Sequence, residues 1–267
     1  MAIPIEMIQT DNMCMRFFRF GSGAKALVIL PGLSVKSVMK SAVAIANQYA
    51  VFEEEYTSFI FERREVLPQA YSIEDMAEDT AAAIQALGLQ EVCLFGASQG
   101  GMIAMLLAAK HPELVKKMIL GSTAARVSAA GFATIEEWIA FAEQKDAAGL
   151  YESFCKKIYP TAFYEKYRSL FLATSETVTE EELARFITLA KTIEGFDCTK
   201  ELADIRCPVL VIGSEDDAVL GSAPTIAIYN ALRSGTQAQY YLYSDKGHDA
   251  YDTAPDYQQR MFEFFES

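Results

Sequence analysis

Histidine and tryptophan are scarce in this sequence, which has two histidines and one tryptophan in 267 residues. So few histidines argue against the common His-rich metal sites. The glycine-rich phosphate-binding patterns GxxxxGKS/T and GxGxxG are also absent, which argues against the usual nucleotide cofactors. We therefore expect neither a metal nor a cofactor.

Basic residues are outnumbered, with 23 Lys and Arg against 36 Asp and Glu and a net charge of −13. Nucleic acids and anionic membranes attract basic patches, so neither is an expected partner. The apolar run from Met102 to Ala109 is far too short to span a bilayer. The first residues lack the basic and apolar regions of a secretory signal.

Cysteines are few and scattered, with five in the chain and no CxxC spacing. An odd, dispersed set is typical of reduced thiols rather than of a disulfide framework. We therefore expect a cytoplasmic protein.

Strand-like and helix-like stretches alternate along most of the chain, which favours a parallel sheet with helices on both faces. Between about Ala124 and Thr199 the strand signals stop, and amphipathic stretches rich in aromatic residues replace them. The pattern predicts one α/β core, formed by residues 1–123 and 200–267, with a helical insert at 124–199. Strands are predicted at 15–20, 26–30, 57–61, 92–95, 117–120, 207–217 and 239–243.

The pentapeptide Gly96-Ala97-Ser98-Gln99-Gly100 lies between a predicted strand and a predicted helix. It matches G-x-S-x-G in the context that this motif requires, a sharp turn that exposes the serine oxygen at the edge of the sheet. The alternative is a plain Gly-Ser-Gly turn with a solvated hydroxyl. The strand before and the helix after favour Ser98 as a nucleophile.

A serine hydroxyl needs a base to remove its proton, and two histidines are available. His111 lies thirteen residues beyond Ser98 along one predicted helix, about 20 Å away, and is better interpreted as a residue at the helix C-terminus. His248 follows the last predicted strand, at the same sheet edge as Ser98. It is therefore the candidate base.

The base in turn needs a carboxylate to orient it. The strand that ends at Gly213-Ser214 is followed by three acids, Glu215, Asp216 and Asp217. If the chain turns tightly at Gly213, one acid faces inward and the others are solvated. The order serine, acid, histidine holds for each of the three.

These residues resemble the α/β-hydrolases with a helical cap, a family that includes serine esterases, enol-lactonases and C–C bond hydrolases. The resemblance extends from about Arg16 to Phe265 and is strongest in LFGASQGGMIA, KHPELVKKMIL, FDCTKELADIRCPVLVIGSEDD and KGHD. It implies an α/β-hydrolase fold, with a mostly parallel sheet of about eight strands flanked by helices and an inserted cap. It also implies Ser98 as nucleophile, His248 as base and Asp216 as the acid.

The same resemblance implies an oxyanion hole made of two backbone N–H groups, those of Gln99 and Leu33. Two departures from the family pattern occur. Pro31-Gly32 stands where relatives usually have His-Gly, and residues 62–65 read Glu-Arg-Arg-Glu where many have Asp-x-Arg-Gly. We interpret the latter as a solvated cluster of ion pairs.

A serine nucleophile leaves attack on a carbonyl as the expected chemistry. We expect hydrolysis of a small carboxylic ester or related acyl substrate. A lactonase, a thioesterase, a C–C bond hydrolase and a non-catalytic binding protein are the alternatives. Most aromatic residues of the insert pack in its core, and a few line the pocket. The candidates for substrate contact are Phe132, Trp138 and Phe141.

Overall fold

The computed structural model describes residues 2–267. Within this range one eight-stranded sheet has the order β1-β2-β4-β3-β5-β6-β7-β8. Strand β2 pairs antiparallel with both of its neighbours, β1 and β4, and all other neighbours pair parallel. The predicted, mostly parallel sheet of about eight strands is confirmed. The strands are β1 Glu6–Gln9, β2 Cys14–Phe20, β3 Lys25–Leu30, β4 Tyr56–Phe61, β5 Val92–Ala97, β6 Val115–Gly121, β7 Val209–Ser214 and β8 Ala238–Tyr243.

The α-helices of residues 2–267 accompany this sheet, together with four short 3₁₀ helices. Apolar spacing already marks most of them in the sequence. None is both long and apolar enough to cross a bilayer. They are α1 Ala42–Gln48, α2 Ile73–Ala86, α3 Gln99–Lys110, α4 Ala129–Glu143, α5 Ala147–Ile158, α6 Thr161–Ser175, α7 Glu180–Lys191, α8 Ala223–Leu232, α9 Ala250–Thr253 and α10 Tyr257–Glu266.

Both faces of the sheet are buried, because successive side chains of the central strands enter different clusters. Val28 and Leu30 of β3 join the cluster formed with α2, α3 and α8. Leu27 and Ile29 join the cluster formed with α1 and α10. This continuous burial explains why the strands have unbroken apolar runs in the sequence. The carboxyl ends of these strands are therefore left as the edge at which a site can form.

The first strand, β1, was not predicted. It has four residues, lies at the edge of the sheet and buries only Ile8. Its polar sequence therefore carries little of the alternation that marks a strand. The seven other predicted strands are observed, with bounds that differ by up to three residues at each end.

The helical insert between β6 and β7 contains α4 to α7. Its two ends lie side by side. The Val127 N–H donates to Phe196 O at 2.9 Å, and the Cys198 N–H donates to Ala125 O at 2.7 Å. The chain therefore leaves and re-enters the core at one place, beyond the carboxyl end of β6.

The start of α2 gives a test of the local sequence rules. Ser72 Oγ accepts the Asp75 N–H at 3.1 Å, and the Ser72 N–H donates to the Asp75 carboxylate at 2.9 Å. This reciprocal pair is the capping box predicted by the sequence.

We predict that Ser72→Ala lowers the free energy of unfolding by about 1 kcal/mol, because the Asp75 N–H at the start of α2 loses its acceptor, Ser72 Oγ. Urea denaturation followed by circular dichroism measures the change. The control is Ser234→Ala, at an exposed serine whose hydroxyl has no hydrogen bond within residues 2–267. Equal stabilities of the two variants would contradict the capping role.

Candidate active site

Ser98 joins β5 to α3 in a strained conformation. Its φ is 50° and its ψ is −118°, a region that non-glycine residues rarely occupy. Hydrogen bonds fix this turn: the Ser98 N–H donates to Gly121 O at 2.8 Å, and Thr123 Oγ1 donates to Ser98 O at 2.7 Å. The strain is therefore maintained by β6 and by the chain that follows it.

The glycines around Ser98 are required by close backbone contacts. A Cβ atom on Gly96 would lie 2.4 Å from Gly100 O, and one on Gly100 would lie 2.0 Å from Leu30 O. Either distance is well inside van der Waals contact, so a side chain at these positions would force the backbones apart. The G-x-S-x-G pattern therefore reports the packing of α3 against β5 and β3.

His248 and Ser98 meet at the carboxyl edge of the sheet. His248 Nε2 lies 3.0 Å from Ser98 Oγ, and His248 Nδ1 lies 2.8 Å from Asp217 Oδ2. A carboxylate can only accept, so Nδ1 carries the proton that it donates to Asp217, and Nε2 of the neutral ring accepts the Ser98 hydroxyl. His248 is only 4% exposed, so the ring has little contact with water.

The prediction of Asp216 as the acid is wrong, because the carboxylate that is hydrogen-bonded to the imidazole is that of Asp217. Asp216 Oδ1 accepts hydrogen bonds from Ser214 Oγ at 2.5 Å and from the N–H groups of Lys246 and Gly247 at 3.1 and 3.0 Å. Strand β7 continues through Ser214, so the turn begins one residue later than a turn at Gly213 implies. Asp216 instead fixes the backbone of the loop that carries His248.

Both carboxylate oxygens of Asp217 have hydrogen-bond partners. Its Oδ1 accepts the N–H groups of Val219 and Leu220 at 2.8 and 2.9 Å, and its Oδ2 faces His248. Burial by itself raises the pKa of this carboxyl. The positive charge and hydrogen bond of His248, with the two backbone N–H groups, outweigh burial and lower the pKa below its ordinary value. The carboxylate form is thus favoured beside the ring.

The predicted oxyanion donors lie next to the nucleophile. Gln99 is the first residue of α3, and Leu33 lines the cavity in front of Ser98. A Cβ atom on Gly32 would lie 3.2 Å from Ser98 Cβ, so the Pro31-Gly32-Leu33 loop passes directly beside the nucleophile. The role of the two N–H groups remains a prediction.

The interpretation of residues 62–65 as a solvated cluster is wrong for its first two members. Glu62 and Arg63 are buried. Arg63 donates to Pro31 O at 2.8 Å and to Gln99 Oε1 at 3.3 Å. It therefore connects the loop of one predicted oxyanion donor to the residue that supplies the other. The departure of residues 62–65 from Asp-x-Arg-Gly was the one sequence signal that pointed to this segment. It does not show that the Arg63 side chain is buried.

The helical insert also makes hydrogen bonds to Gln99 and to the backbone around Arg63. The Gln99 side chain donates to Leu189 O at 2.8 Å and to Thr192 Oγ1 at 3.1 Å. Arg185 of α7 donates to three successive backbone carbonyls, those of residues 63, 64 and 65, at 3.0, 2.9 and 3.2 Å. Helix α7 is thus attached to the core beside Ser98.

A cavity of about 510 Å³ opens in front of Ser98 and His248. Its lining is mostly apolar. The insert contributes Trp138 as predicted, and also side chains that were not singled out. Phe132 and Phe141 do not line it. Phe132 packs in the main core cluster and Phe141 packs against Gly149. The unpredicted lining residues of the insert are Ile135, Phe154, Ile158, Tyr159, Phe163 and Ile193.

The second histidine and the cysteines take no part in this arrangement. Among residues 2–267, no group of three or more His, Cys, Asp or Glu side chains is placed to hold a metal ion. His111 follows the last residue of α3, as predicted, and its Nε2 lies 3.0 Å from Glu78 Oε2. The five cysteines are unpaired.

Several known proteins are similar to this chain. RutD of Azorhizobium caulinodans, whose name assigns it as a carbamate hydrolase, is 29% identical over 199 residues, 67% of this chain and 68% of RutD. The serine hydrolase BPHL of Mus musculus is 22% identical over 228 residues, 82% of this chain and 72% of BPHL.

Solved structures show the same fold. MGS-M2, an alpha/beta hydrolase enzyme from a Medee basin deep-sea metagenome library, superposes with a TM-score of 0.87 at 22% identity and covers 98% of both chains. The enol-lactonase of Burkholderia xenovorans superposes with a TM-score of 0.83 at 16% identity, over 98% of this chain and 100% of that one.

The family model that matches residues 60–255 is described as the alpha/beta hydrolase fold. The matched region makes up more than half of the chain and contains Ser98, Asp217 and His248. This protein belongs to the alpha/beta hydrolase fold family.

Proposed function

We propose that this protein is a serine hydrolase that cleaves a small carboxylic ester through an acyl-enzyme on Ser98. One observation carries the proposal: the unbroken relay of hydrogen bonds from Ser98 Oγ through His248 to Asp217, at 3.0 and 2.8 Å. A nucleophile, a base and an orienting carboxylate in this order are what attack on a carbonyl requires. The names of the similar proteins, carbamate hydrolase, serine hydrolase and enol-lactonase, agree with hydrolysis at a carbonyl.

The acylation step follows from the relay. Ser98 Oγ attacks the carbonyl carbon while His248 Nε2 takes the hydroxyl proton. The carbonyl oxygen becomes an oxyanion, which accepts hydrogen bonds from the N–H groups of Gln99 and Leu33. The tetrahedral intermediate then expels the alcohol, which leaves with the proton from His248. Asp217 stabilises the imidazolium that exists between these two proton transfers.

Deacylation follows the same steps, with water as the nucleophile. His248 removes a proton from a water molecule, and the water oxygen attacks the acyl carbon. The bond to Ser98 Oγ then breaks, and this oxygen recovers its proton from His248. The products are a carboxylic acid and free enzyme. A lactone or thioester can react at the same residues, since only the leaving group differs.

We further propose that residues 124–199 form a cap over this site. The insert leaves and re-enters the core beyond β6, α7 is attached beside Ser98, and Trp138 and Phe154 line the cavity. A cap in this position excludes water and limits the size of the acyl group. Unpaired cysteines agree with a reducing compartment, and we infer a cytoplasmic location.

Ser98→Ala is expected to abolish labelling by a fluorophosphonate probe and to lower kcat on the order of 10⁶-fold, because the attacking oxygen is removed. Intact-mass spectrometry measures the adduct. Ser41→Ala removes another hydroxyl that lines the cavity and should leave labelling intact. A probe adduct on folded Ser98→Ala would contradict the assignment.

Asp217→Asn is expected to lower kcat by about 10⁴-fold, because the amide N–H can donate to Nδ1 and so favours the wrong imidazole tautomer, and because the amide lacks the charge that stabilises the imidazolium. Steady-state hydrolysis of p-nitrophenyl butyrate measures the loss. Asp216→Asn is the matched control one residue away. It should retain most of the activity, since the amide oxygen can still accept the N–H groups of the loop and the residue has no hydrogen bond to the ring. The reverse order would refute Asp217 as the orienting acid.

Phe154→Ala is expected to shift the ester preference toward longer acyl chains, because Phe154 lines the cavity and packs on Trp138 with ring centroids 4.5 Å apart. A p-nitrophenyl ester series from acetate to decanoate measures kcat/KM. Phe141→Ala removes an equal ring from the same insert away from the cavity. If the two folded variants keep the native preference, the insert does not select substrates.

A further inference from the structure

Two carboxyl groups line the cavity beside the proposed catalytic histidine. Asp249 follows His248 directly, and Asp252 lies in α9 just after it. Neither takes part in the relay described above. Asp249 is only 3% exposed, so its carboxyl is taken almost completely out of water. Burial of a carboxylate is costly unless partners replace the lost water.

Asp249 does not cap the helix that it precedes, which is the usual structural role of an aspartate before a helix. Asp249 occupies the N-cap of α9, where its side chain would ordinarily accept a backbone N–H. It makes no such bond. Its Oδ1 is buried and has no hydrogen-bond partner among residues 2–267. The hydroxyl groups of Tyr159 and Tyr251 act on the carboxyl, but its Oδ1 is left without a donor within the described residues.

Positive charge is missing from the same wall. Within residues 2–267, no lysine or arginine lines the cavity, and its ionisable side chains other than His248 are carboxyl and phenol groups. Three aromatic rings, those of Tyr49, Tyr159 and Tyr251, surround this end. Aromatic faces and carboxyl groups both attract cations. The Gln48 side chain donates to Asp252 Oδ1 at 2.6 Å and leaves Asp249 Oδ1 unpaired.

The two carboxyl groups both have a raised pKa. Burial raises the pKa of Asp249 well above its ordinary value, and the charge of Asp252 adds to the rise, while hydroxyl groups nearby oppose it. Burial likewise raises the pKa of Asp252. The ionisable side chains that face Asp249 are those of Tyr49, Tyr159, Tyr251, Asp252, Tyr257 and Cys155.

We propose that this end of the cavity binds a primary ammonium group carried by the substrate, with Asp249 Oδ1 accepting one of its N–H bonds. An ammonium has three donors and no acceptor, which suits a wall of carboxyl groups and aromatic rings. The substrate is then an ester with an amine in its acyl or alcohol part. This specificity rests on the proposed hydrolase function, whereas binding of the ammonium to the cavity can be measured without it.

Direct binding tests the proposal with n-hexylammonium chloride and 1-hexanol, which share a chain and differ in the head group. Calorimetry on the native protein at pH 7.5 should give an affinity for the ammonium at least tenfold above that for the alcohol. Asp249→Asn should reduce this preference to about threefold or less. Asp204→Asn, which removes an exposed carboxylate, should keep it. Equal binding of alcohol and ammonium, or no binding of the ammonium, overturns the proposal.

Stability separates a ligand-binding acid from a structural one. The folded pKa of Asp249 lies above the unfolded value of about 3.9, so the native protein loses stability as the pH rises above about 4. Asparagine does not ionise and avoids this loss. Asp249→Asn should therefore be more stable than the native protein at pH 7, with a gain that disappears below about pH 4. A destabilised variant at pH 7 would make the carboxyl structural and overturn the proposal.

Fluorophosphonate labelling of the native protein distinguishes failure of this inference from failure of the hydrolase function. If Ser98 is labelled and the ammonium preference is absent, the hydrolase function stands and the amine subsite is refuted. If the ammonium preference is present and Ser98 is not labelled, the cavity binds amines and the ester chemistry is refuted.

Discussion

The positive φ of Ser98 is the constraint on which the site depends. At 50° the chain reverses from β5 into α3 within one residue and directs the hydroxyl out of the sheet toward His248. This conformation is unfavourable by itself and persists because its neighbours leave no alternative. The Ser98 N–H is bound to β6, its carbonyl is bound to Thr123, and α3 lies against the end of β3. The geometry of the candidate site is thus a product of core packing.

The same packing explains why so much of the fold could be predicted from the sequence. The central strands are buried on both faces, and α2 begins with a capping box, so each has a strong local signal. Ser98 and His248 could also be identified from the sequence. A serine between glycines, placed between a strand and a helix, is typical of a nucleophile, and only two histidines were available as the base. Strand β1 was missed because it is polar, short and at the edge of the sheet.

The remaining residues of the site depend on contacts that no local pattern records. Asp216 and Asp217 differ by one position, and the end of β7 decides which of them faces the ring. Arg63 looked like part of an exposed charged run, yet it is buried between Pro31 O and the Gln99 side chain. Phe141 and Phe154 are both aromatic residues of the insert, but only one lines the cavity. Each outcome is fixed by residues distant in the chain.

Partitioning of the acyl group between water and methanol tests the central claim most directly. Phenyl butyrate and p-nitrophenyl butyrate would each be hydrolysed in aqueous methanol, and the ratio of methyl butyrate to butyric acid measured. A covalent intermediate on Ser98 is the same for both esters after the phenol has left. The account therefore predicts one ratio that is independent of the leaving group. A ratio that changes with the leaving group would mean that solvent attacks the ester directly, and it would contradict the acyl-enzyme.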